Sequence, residues 1–294
     1  MLSTCIIVPY FGQWPEWFWL FLESCGRNRS FNWLFVTDCP QPRQSPPNCR
    51  FVSMSWADCA ARIADVCALR HPPTLVYKIC DFRFAFGDIF SDYVGGFDYW
   101  GFGDIDVIYG DLESGLAAEI WEHELVTFNR THVSGHLSLL RNDPKTVRRY
   151  QVWRPWRENV EESRNRRLDE DAGYYGIENV YAIESYNTPL SPFIPWVDGT
   201  YRFPYVWYYR QGTLSTNTEG KRQFLYLHFM RYKNYWRKIG LGSVMHERSG
   251  PSPGGWKLMM DGFHPCSDGD STREDGWKIA LVSAGRWRSF RVER

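Results

Sequence analysis

Two aspartates, Asp104 and Asp106, stand two residues apart in "YWGFGDIDVIYGDL" (residues 99–112), a stretch whose apolar positions otherwise suit buried sheet. Residues at i and i+2 of a strand share one face. Two carboxylates side by side there repel each other and lose their water. The arrangement becomes favourable where a strand end opens on a cleft and a divalent cation sits between the acids. Hard oxygen ligands suit Mg²⁺ or Mn²⁺. A cation held by two carboxylates keeps free positions, which a diphosphate can fill. The blander alternative is a turn with two solvated acids, since D-x-D is common by chance. The "GFG" before the pair favours a ligand, because small residues let one approach the backbone.

Other residues could take part in such chemistry. Lys78 and Asp81 are spaced i,i+3 on a helix expected from about 77 to 93, which also carries Arg83, so one face can present both. The alternative is an ordinary surface ion pair. "LDEDAG" sets Asp169, Glu170 and Asp171 together, which by itself suits the acidic first turn of a helix. His228 closes the apolar strand in "KRQFLYLHFMRYK", as a core histidine or as a ligand. His132 and His136 flank a short loop.

The elements that must position these groups follow from pattern. "TCIIVP" is a continuous apolar run, as in a strand buried on both faces. A helix follows in "WPEWFWLFLESCGRN", started near Pro15 and stopped near Gly26. "FNWLFVTD" is a second strand ending at Asp38, 39–48 a loop, and "CRFVSMS" a third strand. "WADCAARIADVCALR" is a helix stopped before Pro72 and Pro73. "ELVTFNR" and "HLSLLRN" suit two more strands. The polar segment that follows suits a helix interrupted at Pro155. Strands alternating with helices predict a three-layer α/β fold, a mostly parallel, mixed sheet with helices on both faces. In such sheets ligands gather beyond the carboxyl ends of the strands. After residue 240 the composition turns Gly-, Pro-, Ser- and Asp-rich. This divides the chain into a domain over 1–240 and a loosely structured extension over 241–294, with a short strand at "WKIALVSAG".

The order of these motifs resembles the nucleotide-sugar glycosyltransferases of the Rossmann-like GT-A fold over about residues 4–235. "YKICDFRFAFGDIFSDYVGGFDYWGFGDIDVIYGDL" resembles bacterial polysaccharide-biosynthesis members in particular. The resemblance implies roles residue by residue. Pro9, Tyr10 and Phe11 of "VPYFG" would pack on the base, and Asp38 would meet base or ribose. Lys78, Asp81 and Arg83 would contact ribose, sugar hydroxyls or phosphate. Asp104 and Asp106 would bind Mn²⁺ or Mg²⁺ and, through it, the diphosphate, with His228 completing the metal shell. Gly135 and His136 of "HVSGHLSLL" would lie beside the sugar, and Arg231 or Lys233 near the phosphates. Asp171 would be the base that deprotonates the acceptor, with Glu170 or Asp169 as fallback, which implies inversion at the anomeric carbon. Trp100, Tyr174 and Tyr175 would exclude water or stack on the acceptor. The long basic segment 148–167 and the tail depart from the family's pattern. The former suits an acceptor-side element touching lipid headgroups, or a solvated insertion.

Bulk properties limit the partners. Lys+Arg and Asp+Glu both number 34, so no global field draws the chain to nucleic acid. The partners implied are a nucleoside-diphosphate sugar, UDP-linked by default, and a glycan or lipid-linked acceptor. The chain has 15 Trp, which an aromatic-heavy core or a stacking cleft would explain. Eight cysteines without a CxxC pair suit buried free thiols in a reducing compartment. The N-terminus enters a strand with no basic region before it, so no signal peptide is expected. The expected location is cytoplasmic, with peripheral contact at the inner face of the membrane as an option. Two other readings stand beside the transferase. A nucleotidyltransferase would also use paired acids, but "VPYFGQWPEW" lacks its basic Gly-rich loop. A carbohydrate-binding protein would use the aromatics without needing the acids.

Overall fold

The computed structural model describes residues 2–116, 118–129, 132–168, 174–182, 196–198, 205–217, 223–246, 252, 254–266, 278–283 and 286–291. A seven-stranded sheet forms its centre, in the order β3-β2-β1-β4-β7-β6-β8. β1 (Thr4–Tyr10), β2 (Phe31–Thr37), β3 (Cys49–Ser53) and β4 (Tyr99–Gly103) run parallel. β7 (Leu137–Arg141) is antiparallel to β4 and to β6 (Leu125–Thr127), and β8 (Val180–Ala182) is parallel to β6. The expected α/β architecture is therefore what forms, with a mixed and mostly parallel sheet.

β1 and β2 are apolar over most of their length because both faces of the sheet are covered. Ile6, Val8, Trp33 and Phe35 face α1 (Phe18–Arg27) and pack with Phe18, Phe21 and Leu22. Cys5, Ile7, Leu34 and Val36 face the other way, toward Cys59 and Ile63 of α2 (Trp56–Val66). Ser55 starts α2, its hydroxyl accepting from the Asp58 amide at 3.1 Å. Much of the aromatic content is core. Trp100, expected near the acceptor, is fully buried, and Tyr175 stacks on Phe84. All eight cysteines are free thiols, six of them buried.

A second sheet lies on the α1 side, in the order β14-β13-β10-β11-β12-β5, with β9 (Trp196–Asp198) beside β12. It comprises β5 (Val107–Tyr109), β10 (Trp207–Arg210), β11 (Thr213–Thr216), β12 (Phe224–His228), β13 (Trp256–Met259) and β14 (Gly262–Pro265). Trp256, Leu258 and Phe263 share one core cluster with Tyr109 and Phe21. Residues 256–265 are thus built into the main body, and the expectation of a loose extension does not describe them. A pairing register, not local composition, decides this, since β13 joins β10 across about fifty residues of chain. β15 (Lys278–Ser283) coincides with the expected "WKIALVSAG" strand and pairs with β16 (Arg286–Arg291).

Two local expectations change. The helix expected over 77–93 is a 3₁₀ stretch, Val76–Ala85, followed by one-turn helices Phe86–Ile89 and Ser91–Val94. Nearly every side chain from 78 to 87 is buried, so the segment has no solvent face to give it a helical pattern. The polar helix after residue 143 is three short pieces, Pro144–Val147, Arg149–Val152 and Arg154–Asn159. Tyr150 and Trp156 of that segment are buried, and the Trp156 indole donates to the Asp81 carbonyl at 2.9 Å. Finally, β12 ends at His228 as expected but turns at once into a helix, Met230–Ile239, stopped by Gly240 at φ +67°. Among the described residues no helix is long and apolar enough to cross a membrane.

Candidate active site

The stretch holding the two acids is not one strand. β4 ends at Gly103 in the central sheet and β5 begins at Val107 in the second. Asp104, Ile105 and Asp106 form the bend between them. Three elements fix this bend through its backbone. The Asp104 amide donates to the His136 carbonyl and the Phe229 amide donates to the Asp106 carbonyl, both at 3.1 Å. The Trp17 indole donates to the Ile105 carbonyl at 3.1 Å. β12 pairs antiparallel with β5, setting His228 opposite Val107. The acids and the histidine therefore converge from the junction of two sheets, not from one strand face.

The glycines before the bend answer to packing. A Cβ on Gly101 would lie 2.5 Å from the Ser138 carbonyl oxygen. One on Gly103 would lie 2.9 Å from the Tyr109 hydroxyl and 3.2 Å from the His136 carbonyl oxygen. Close approach of β7 and β5 requires them, although Gly103 also lines the cavity described below.

Each acid is paired with a basic side chain. Asp104 Oδ1 meets the Arg83 guanidinium, and Asp106 Oδ2 meets the Lys233 ammonium. The other oxygen of each faces His228: Nε2 lies 3.9 Å from Asp104 Oδ2 and 3.7 Å from Asp106 Oδ1. One ligand atom from each of the three residues falls within 4.8 Å of the others. Octahedral ligands about 2.1 Å from a Mg²⁺-sized ion lie about 3 Å apart when cis and about 4.2 Å when trans. The two spacings to His228 fall between these, so the three residues could hold a divalent metal after small side-chain rotations.

Burial alone would raise the Asp106 carboxyl. The charges of His228 and Lys233 and the Lys233 hydrogen bond outweigh it and hold the group below the usual carboxylate range. Asp106 is thus kept ionised, as a metal ligand must be. Burial, together with neighbouring His228, Arg83 and His132, pushes the His136 imidazole well below its usual range. His136 stacks on His228 with centroids 4.4 Å apart, and its Nε2 lies 2.8 Å from the Tyr226 hydroxyl.

These groups open on a cavity of about 720 Å³. Of the residues singled out in the sequence, Pro9, Tyr10, Phe11, Arg83, Asp104, Asp106, His132, His136, His228 and Lys233 line it. Asp38 does not, but its carboxylate accepts from the Gly12 amide at 2.7 Å and so props the chain just beyond the end of β1. Gly135 is buried beside the wall. Lys78 and Asp81 depart from expectation. They form a buried ion pair at 2.8 Å, off the cavity and away from the surface. Asp81 also accepts from the Arg166 amide at 2.9 Å and the Leu168 amide at 3.0 Å, while Lys78 donates to the Arg164 carbonyl at 3.0 Å. In a 3₁₀ turn, residues i and i+3 eclipse, which sets Lys78 over Asp81. The pair pins 164–168 and thereby carries Asn165 and Arg167 to the cavity wall. Those two residues were not singled out in advance; the basic run "RNRR" was the available signal. Asp169, Glu170 and Asp171 lie outside the described residues.

Among solved structures the chain is similar to the galactosyltransferase LgtC, crystallised with donor and acceptor sugar analogs. The identity is 12%, the TM-score 0.36, and the match covers 60% of this chain and 73% of that one. It is also similar to the glycosyltransferase GlyE of Streptococcus pneumoniae TIGR4, at 14% identity and TM-score 0.33, covering 58% of this chain and 44% of that one. These likenesses carry no activity to this chain. No curated protein matches it by sequence. Residues 6–239, well over half of the chain, match the family described as "Family of unknown function (DUF6625)", and the chain belongs to that family.

Proposed function

We propose that the chain is a metal-dependent glycosyltransferase. It would move a sugar from a nucleoside-diphosphate sugar, UDP-linked by default, to a glycan or lipid-linked acceptor in surface polysaccharide biosynthesis. One observation carries this reading. Asp104, Asp106 and His228 meet Arg83 and Lys233 in a single cavity that also has Pro9, Tyr10 and Phe11 in its wall. Asp104, Asp106 and His228 would hold Mn²⁺ or Mg²⁺, which when bound supplies electrostatic stabilisation of the leaving diphosphate.

The chain's own groups supply the rest. Arg83 and Lys233, which neutralise the two acids here, would turn to the phosphate oxygens. Pro9, Tyr10 and Phe11 would hold the base. In the transfer, the acceptor oxygen bonds to the anomeric carbon as the bond from that carbon to the phosphate oxygen breaks. The acceptor's proton passes to a carboxylate, proposed from sequence order as Asp171 or Glu170, and the sugar is inverted. Val76, Tyr77 and Met230 are exposed and line the cavity, offering an apolar rim to an acceptor or its lipid.

The test is a thermal-shift series with UDP, GDP, CMP and dTDP, each with and without Mn²⁺. Ligand at about 100 times its Kd stabilises by about 2.7 kcal/mol. Unfolding entropy for 294 residues is about 0.6 kcal/mol/K, so the shift is about 4 °C. One nucleotide is expected to give it with Mn²⁺, and Asp104→Ala or Asp106→Ala to remove it. The acid–base pairing favours one second reading, in which Arg83 and Lys233 grip the diphosphate without metal. The shift would then persist without Mn²⁺ and vanish in Arg83→Ala and Lys233→Ala. No shift with any nucleotide in either condition rules out both.

A further inference from the structure

Away from the cavity, a second set of metal-ligating groups comes together at the edge of the second sheet: His246, Asp261 and His264. We propose that they form a binding site for a first-row transition ion of the Zn²⁺ type. The site is separate from the acid cluster and independent of the transferase reading.

Both imidazoles converge on one residue. His264 Nε2 lies 3.0 Å from Asp261 Oδ1, and His246 Nε2 lies 2.9 Å from the Asp261 carbonyl oxygen. The two rings stack with centroids 4.0 Å apart and planes 10° apart. One ligand atom from each of the three falls within 4.8 Å of the others. Tetrahedral ligands about 2.0 Å from zinc lie about 3.3 Å apart, so modest side-chain rotations close the site. His246 is exposed.

The backbone beneath is fixed before any ion arrives. Met245 and Phe263 form a parallel bridge. The Phe263 amide donates to the Val244 carbonyl at 2.7 Å, and the His246 amide to the Phe263 carbonyl at 3.1 Å. His246 and His264 each follow a bridge residue and so emerge on one side of the ladder. Gly262 makes this approach feasible. Its φ is +130°, and a Cβ there would lie 2.3 Å from the Val244 carbonyl oxygen. On the far side, Glu16 Oε2 accepts from the Ser243 hydroxyl at 2.8 Å and the Val244 amide at 3.0 Å. The segment leading to His246 is therefore held from two directions.

Ligand chemistry separates the two clusters. Two carboxylates and one imidazole suit a hard cation, whereas two imidazoles and one carboxylate suit Zn²⁺. Three protein ligands leave the fourth position to water. A bound ion would clasp residues 243–246 to the β13–β14 hairpin.

The experiment uses the tag-free full chain carrying Asp104→Asn and Asp106→Asn, so that the acid cluster does not compete. Co²⁺ is titrated by visible absorption and Zn²⁺ by competition with a chromophoric chelator. One Co²⁺ per chain is expected, with d–d bands and no thiolate charge-transfer band, and Zn²⁺ should displace it. Adding His246→Gln and His264→Gln is expected to weaken binding by at least about tenfold. Asp261→Asn, at a half-exposed turn where folding is not at risk, is expected to weaken it as well. Unchanged affinity in both variants, a thiolate band, or no binding by the parent chain would overturn the site. Circular dichroism confirms that each variant is folded.

Discussion

Asp81→Asn isolates the buried ion pair under the candidate site. Lys78 and Asp81 are 2% and 0% exposed, 2.8 Å apart. The substitution keeps an oxygen to accept from the Arg166 and Leu168 amides. It leaves the Lys78 ammonium buried with the Arg164 carbonyl as its remaining acceptor in this cluster. Removing one partner of a buried pair costs about 3–5 kcal/mol. Spread over the unfolding entropy of 294 residues, that is a loss of about 5–8 °C in Tm. Lys78→Met keeps the stem without the charge and leaves Asp81 with its two backbone donors, so it is expected to cost less. Calorimetric unfolding of both single variants and the double variant measures the coupling. The double variant is expected to be more stable than the sum of the singles by at least about 1 kcal/mol. Singles that each cost under about 1 kcal/mol, or strict additivity, would refute a buried ion pair that holds 164–168 in place.

Two further outcomes are expected. Gly110→Ala would set a methyl 2.1 Å from the Phe224 carbonyl oxygen, at the β5–β12 junction. We expect a loss of about 1–3 kcal/mol in denaturant unfolding, and a neutral result would mean that the two strands separate easily. The thiols of Cys5, Cys59 and Cys67 are each pushed up to about 12 by burial, chiefly through loss of solvation. Unfolded thiols titrate near 8.5, so the native state binds more protons above that pH. The stability these thiols contribute is whole below about pH 8.5 and declines up to pH 12, by at most about 4 kcal/mol per pH unit for the three. Denaturant midpoints at pH 8, 9 and 10 should fall accordingly, and Cys59→Ala should remove one thiol's share of the slope, at most about 1.4 kcal/mol per pH unit.

Local pattern made the first α/β units readable. "TCIIVP", "FNWLFVTD" and "CRFVSMS" became β1, β2 and β3 within a residue or two, and β1 and β2 stood out because strands covered on both faces are apolar over most of their length. The acids at 104 and 106 and the histidine at 228 could also be picked out, as residue types that are costly beside apolar strands without a reason. How they meet was not legible. A chain that leaves one sheet and enters another looks like a single strand when both parts are apolar, and only the pairing of β5 with β12 separates them. The segment from 78 to 87 misled for a related reason. Beyond pairing with each other, Lys78 and Asp81 are satisfied by the distant 164–168 backbone, which no i,i+3 spacing reveals. β13 and β14 were hidden among turn residues for the same kind of reason, whereas "WKIALVSAG" was legible as β15.

The bend at 104–106 has a mechanical consequence. Its neighbours on one side belong to the central sheet and on the other to the second sheet, and His228 terminates a strand of the latter. Anything that bonds to both acids and the histidine at once rivets the two halves of the fold together. Its release would then be tied to their parting, so amide exchange in β4 and in β12 is expected to slow in step when the rivet is in place.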